Sequence, residues 1–164
     1  MVFVKVGIII GSDSDWPVMK SAVEVLKQFG VEPMVTVASA HRTPLKVREI
    51  AEGAEQNGIN LFIAAAGGAA HLAGVIASYT TLPVIGVPIN ASPMNGLDSL
   101  LATVQMPSGV PVATMAINGA KNAALFAVQI LAQADKGLAD KMKEYRANLA
   151  KEVDVKAERV KAQL

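Results

Sequence analysis

Val4-Lys5-Val6-Gly7-Ile8-Ile9-Ile10, followed at once by Gly11-Ser12-Asp13-Ser14-Asp15, sets the architecture of this 164-residue chain. A β-branched run without a polar face suits a strand buried on both sides in a parallel sheet. The polar, glycine-led segment behind it falls where such sheets hold their ligands. Outward from there, Val18, Met19, Ala22, Val23, Leu26 and Phe29 recur at helical spacing until Gly30 stops the pattern. Further strands are expected at 34–38, 61–65, 83–87 and 112–116. Helices alternate with them: from Thr43-Pro44 to near Asn57-Gly58, at 72–79, around 97–104, and at 120–134. Asp15 is expected to cap the first helix and Thr43 the second, with Pro44 in its first turn. Strict alternation of strand and helix means a doubly wound parallel sheet with right-handed crossovers. Residues 1–134 form that domain, and residues 135–164 append a charged amphipathic helix with Leu138, Met142, Tyr145, Leu149, Val153 and Val160 along one seam.

Composition narrows the function. Hydrophobic residues make up 52%, too many for a disordered chain. Fifteen basic against fourteen acidic side chains give a net charge of +1, so no general footprint for nucleic acid exists. Zero cysteines exclude a disulfide scaffold, a thiolate metal site and a cysteine nucleophile. The first ten residues lack the pattern of a secretory signal, which together with the missing cysteines points to the cytoplasm. Between Gln56 and Ala120 the sequence holds a single charged residue, Asp98. Gly67, Gly68, Pro83, Pro88 and Pro93 cut this stretch into pieces too short to span a membrane. The expectation is a homo-oligomer, whose neighbours cover the surface this body cannot charge.

Three polar or glycine-rich segments follow successive strands and so share one rim: residues 11–15, 39–44 and 66–71. In the first, Ser12, Ser14 and helix-start N–H groups suit a phosphate, and Asp15 suits ribose hydroxyls. Its spacing matches neither Gly-x-Gly-x-x-Gly nor the Walker loop. In the second, Arg42 is the only arginine or lysine expected near these strand ends, a natural partner for phosphate or carboxylate. His41 and His71 are the only histidines in the chain, and both fall on this rim. That placement favours general acid–base work, while a metal site lacks a third ligand. Gly67-Gly68-Ala69-Ala70 allows either close approach of backbone to a ligand or tight helix–sheet packing. The long segment from Pro88 to Leu97 has the length of a lid.

Four stretches in order carry a family resemblance: Gly-Ser-Asp-Ser-Asp at 11–15, Ser-Ala-His-Arg-Thr-Pro at 39–44, Gly-Gly-Ala-Ala-His-Leu at 67–72 and Gly-Leu-Asp-Ser-Leu-Leu-Ala-Thr-Val-Gln-Met-Pro at 96–107. With Gly109-Val110-Pro111-Val112, the chain resembles the 5-(carboxyamino)imidazole ribonucleotide mutases of purine biosynthesis (class I, catalytic subunit type) from about residue 5 to 134. The resemblance implies a flavodoxin-like three-layer α-β-α sandwich, an octamer with shared sites, and no metal or organic cofactor. It implies that Ser12, Asp15 and Arg42 hold the ribose 5-phosphate part, that His41 shuttles the proton, and that His71 belongs to the loop lining the imidazole end. Ser39, Gly67, Gly68 and Ala69 complete the expected substrate site. The implied reaction moves a carboxylate from the exocyclic nitrogen to ring carbon 4 by decarboxylation, trapping of carbon dioxide and recarboxylation. One departure is Ala73, where the family's His-Leu-Pro-Gly motif has proline. Proline there would sit in the first turn of its helix and hold Leu72 extended, so alanine should leave the loop from Gly67 to Gly74 more mobile.

Two rivals remain at this stage. The related aminoimidazole ribonucleotide carboxylases take up carbon dioxide directly, but their third rim loop differs from the one at 67–72. A non-catalytic flavin-binding module would need aromatics beside the ring, and only Trp16 and Tyr79 are expected near the rim.

Overall fold

A computed structural model describes residues 4–164. Five parallel strands, β1 (Lys5–Ile10), β2 (Glu32–Val37), β3 (Ile59–Gly67), β4 (Val84–Ile89) and β5 (Ala113–Thr114), lie in the order β2-β1-β3-β4-β5. Ile8 faces Val35 on one side and Ile63 on the other, and Ile63 faces Ile85 in turn. This is the flavodoxin-like order, with the reversal of strand order, the switch point, falling between β1 and β3. The helices are α1 (Trp16–Phe29), α2 (Pro44–Glu52), α3 (Leu72–Tyr79), α4 (Leu97–Val104), α5 (Ala120–Leu131) and α6 (Lys136–Lys161).

Both faces of the sheet are covered, as the run at 4–10 requires. Ile9, Phe62 and Ala64 join Val47 and Ala51 of α2 and Leu72, Ala73 and Ile76 of α3 in one buried cluster. The alternate residues Ile8, Ile10, Leu61 and Ile63 are buried too. Each such aliphatic or aromatic side chain contributes about 1.5–3 kcal/mol by leaving water. Gly7 makes room for this packing, because a Cβ there would lie 2.6 Å from the Phe62 ring. Helix α1 buries Met19, Ala22, Val23, Leu26 and Phe29, and Gly30 ends it in the left-handed region at φ 80°.

Most boundaries shift by a few residues from the sequence reading, β3 running Ile59–Gly67, β4 Val84–Ile89 and α5 stopping at Leu131, and three shifts have a visible local setting. β2 begins at Glu32 and runs through Pro33, which an edge strand tolerates because one side of its ladder is unpaired. α2 stops at Glu52, where Gly53 caps it, and tight turns carry the chain to Gly58 at φ 72°. β5 keeps only Ala113 and Thr114, although the Met115 N–H still reaches the Gly86 carbonyl at 2.9 Å.

The chain divides into two compact units, one up to Ala127 and one from Val128 to Leu164. The second contains the 26-residue α6, whose N-cap Asp135 accepts from the Leu138 N–H at 3.1 Å. Along it Leu138 and Met142 are buried, while Leu149, Val153 and Val160 are exposed. Among the described residues no helix is long and apolar enough to cross a membrane.

Candidate active site

The ends of β1, β2 and β3 bring the three rim segments around one cavity of about 390 Å³. Ser12, Asp15, Ser39, His41, Arg42, Gly67, Gly68 and Ala69 all line it. His71 joins them through His41: His41 Nε2 and His71 Nδ1 are 2.9 Å apart, with the rings edge-to-face. One of these nitrogens must carry the hydrogen and the other a lone pair, so the contact holds one proton between two imidazoles.

The residues after β1 fold as a single 3-10 turn, Asp13–Asp15. The Ser14 N–H donates to Ser12 Oγ, and the Ser12 N–H donates to Asp15 Oδ2 at 3.2 Å, closing a capping box. Asp15 therefore does not cap α1 with its side chain, contrary to the sequence expectation; its carboxylate turns back to Ser12. Asp15 is buried, and burial pushes its carboxyl above the usual carboxylate range. Bonds from the Ser12 N–H and the Ser14 hydroxyl pull the other way; Asp13 raises it further and Arg42 lowers it. A carboxylate with spare acceptor oxygens in a polar cup is suited to sugar hydroxyls.

Arg42 spans two segments. Its Nη2 donates to the Gly11 carbonyl at 3.1 Å and its Nε to Ser39 Oγ at 3.4 Å, which leaves other N–H groups of the fork for an anion. It is not the only cation at the strand ends. Lys46 Nζ reaches the Val37 carbonyl at 2.8 Å from one turn along α2, a position the sequence reading did not consider. Thr43 also departs from expectation, since its hydroxyl makes no cap to α2.

Gly68 adopts φ 59°, and a Cβ there would meet nothing within 4 Å, so the backbone lies open to the cavity. Gly67 is different. A Cβ would lie 2.6 Å from that of Ala91, so it serves close packing against the segment after β4. That segment lends Ala91 to the cavity. It is tied down by Asn90 N–H to Asn118 Oδ1 at 3.0 Å and by Ser92 Oγ to Asp98 Oδ1 at 2.9 Å. Sequence reading missed Ala91 because nothing distinguishes an alanine in a long loop.

A larger cavity, about 950 Å³, opens at the opposite ends of the strands beside Glu52, Glu55, Tyr79, Pro83 and Pro111. Tyr79 thus belongs to the far edge of the sheet rather than to the ligand rim, which removes one of the two aromatics a flavin site would have used. Volume is a poor guide here. The smaller cavity lies at the switch point and collects His41, the arginine and the buried carboxylate, with His71 bonded behind His41. Among the described residues no three His, Cys, Asp or Glu side chains gather as metal ligands.

A flavodoxin-like sheet with a cavity at its switch point lined by His41 and Arg42, and His71 bonded to that histidine, defines a small-molecule enzyme of the α/β class. The chain belongs to the AIR carboxylase family, whose sequence model matches residues 5–152. It is 56% identical to the N5-carboxyaminoimidazole ribonucleotide mutase of Thermotoga maritima, over 95% of this chain and 91% of that one. It is 54% identical to the phosphoribosylaminoimidazole carboxylase of Saccharomyces cerevisiae, over 94% of this chain but 27% of that longer one. A crystal structure of Treponema denticola PurE superposes with a TM-score of 0.84 at 29% identity, covering 94% of this chain and 97% of that chain.

Proposed function

We propose that this protein is an N5-carboxyaminoimidazole ribonucleotide mutase. The observation that carries the reading is the His41–His71 contact of 2.9 Å at the edge of a cavity whose other wall is Ser12, Asp15 and Arg42. Arg42 and the Ser12 turn take the 5-phosphate, and Asp15 accepts from ribose hydroxyls. Gly67, Gly68 and Ala69 offer close backbone approach to the imidazole end. His41 gives a proton to the exocyclic nitrogen as its bond to the carboxylate carbon breaks and carbon dioxide is released. Ring carbon 4 then attacks the trapped carbon dioxide, forming the new C–C bond. His41 recovers a proton from that ring carbon, so the imidazole ends as it began and the reaction balances as an isomerisation. His71, holding the other end of the hydrogen bond, fixes which nitrogen of His41 carries the proton.

The carboxylase reading uses the same cavity with carbon dioxide from solution. It is favoured less, since relatives that carry the mutase name match this chain over most of both lengths. The reading extends to a cytoplasmic homo-octamer. Association is supported by Leu97, Leu101 and Val104, which form an apolar stripe on α4 and are each nearly half exposed.

Supplying each ribonucleotide in turn tests the reaction: the carboxyamino compound should be converted without added bicarbonate, and aminoimidazole ribonucleotide with bicarbonate should not compete. The reverse preference would assign the carboxylase activity. His41→Asn, which keeps size and hydrogen bonding but carries no proton, should cost about 10²–10⁴-fold in turnover. Turnover near that of the parent would move the proton shuttle elsewhere.

A further inference from the structure

Thr43 stands at the N-cap of α2, where a threonine hydroxyl ordinarily satisfies a free N–H of the first helical turn. Here it turns back to Ser39 instead. The Ser39 N–H donates to Thr43 Oγ1 at 2.9 Å, and Thr43 Oγ1 donates to the Ser39 carbonyl at 3.1 Å. The Thr43 N–H reaches the same carbonyl at 2.9 Å. These three bonds close the loop from residue 39 to 43, and the residues carried on it are Ala40, His41 and Arg42. Inside the loop, Ser39 Oγ accepts from the Arg42 N–H at 3.2 Å and from Arg42 Nε at 3.4 Å. Ser39 is thus held by Thr43 and in turn holds Arg42. Pro44, next in the chain, brings no N–H to the helix start, which lessens what α2 loses by going uncapped.

We infer that Thr43 is a positioning residue of the reaction: its hydroxyl aims His41 and Arg42 without lining the substrate cavity. The inference rests on the proposed roles of His41 and Arg42. Threonine fits the task because its branched Cβ restricts χ1, keeping the hydroxyl turned toward Ser39. Lys46 braces the strand end through Val37, and the Gly11 carbonyl and His71 hold the far ends of Arg42 and His41, so Thr43 acts on their aim by closing the backbone loop that carries both.

Thr43→Val keeps the shape and removes both side-chain bonds, whereas Thr43→Ser keeps them. Thr43→Val should lower kcat about 10- to 100-fold, the scale of a misplaced reacting group. It should also raise KM for the carboxyamino ribonucleotide and displace the pH–rate profile, because His41 is no longer held against His71. Thr43→Ser should restore all three. A merely structural threonine would lower the melting temperature of Thr43→Val while leaving the pH–rate profile of the folded enzyme unchanged, and that result overturns the inference. Thr43→Ser as impaired as Thr43→Val overturns it as well, and this arm decides the matter should Thr43→Val fail to fold. A parent that converts neither ribonucleotide would overturn the mutase reading and this inference with it. An active parent beside an unimpaired Thr43→Val overturns this inference alone.

Discussion

Asp15 bears a charge that the fold penalises. Its carboxyl is raised above the ordinary value of 3.8, chiefly by burial, so the folded state disfavours the carboxylate. That penalty is complete above the folded-state pKa and absent below 3.8. Asp15→Asn, which can still accept from the Ser12 N–H, should therefore raise Tm at neutral pH. The gain should shrink as the pH falls toward the ordinary value, as melting curves across acid pH would reveal. The same variant should bind the ribonucleotide more weakly, since an amide replaces one acceptor oxygen with a donor. Stability given up at a buried carboxylate is consistent with a binding role, and no gain at neutral pH would remove that argument. The residue types at the rim were legible in the sequence because histidine, arginine and paired serines are scarce in so apolar a chain. Their hydrogen bonds were not. Asp15 and Thr43 both looked like helix caps, and both turn backward to a serine three or four residues earlier. Residue type alone cannot tell a hydroxyl or carboxylate that caps forward from one that closes a loop behind it.

Elements were read well where periodicity is strong and less well where a ladder ends. α3 occupies Leu72–Tyr79 as expected. β5 shrinks to two residues, Ala113 and Thr114, which pair with Ile85 and Gly86 of β4 at the sheet edge. α3 also revises the reasoning about Ala73. That residue does lie in the first turn, but Leu72 is already helical rather than extended. Proline at 73 would restrict the unfolded chain, yet it would also disfavour the helical conformation of Leu72, and Ala73 is only 3% exposed. The two effects oppose each other, so Ala73→Pro should leave stability within about 1 kcal/mol of the parent, a prediction checked by urea denaturation. A larger gain would mean that Leu72 readily leaves the helical region.

At the scale of the whole molecule, the uneven distribution of charge is the leading feature. The sheet unit presents Leu97, Leu101 and Val104 on α4, each between 45% and 48% exposed, and Met34, Val35 and Val37 on the edge strand. Covering the exposed part of each such side chain is worth on the order of 1 kcal/mol, enough in sum to favour association. Light scattering should accordingly give several times the 17.1 kDa chain mass, and Leu101→Lys should lower it. A monomer at micromolar concentration would contradict the proposed assembly. The single charge between Gln56 and Ala120 motivated the expectation of association, whereas which apolar faces stay open required the folded chain.

The α4 stripe also determines how such an assembly meets a change of temperature. Association through apolar side chains draws on the release of water, and that driving force fades on cooling. With Asp98 the one charged residue on this helix, added salt has little to screen. Chilling should loosen the subunits while brine leaves them together, the reverse of an assembly joined by ion pairs. Enzyme kept on ice would then lose activity before any subunit unfolds, and regain it on warming.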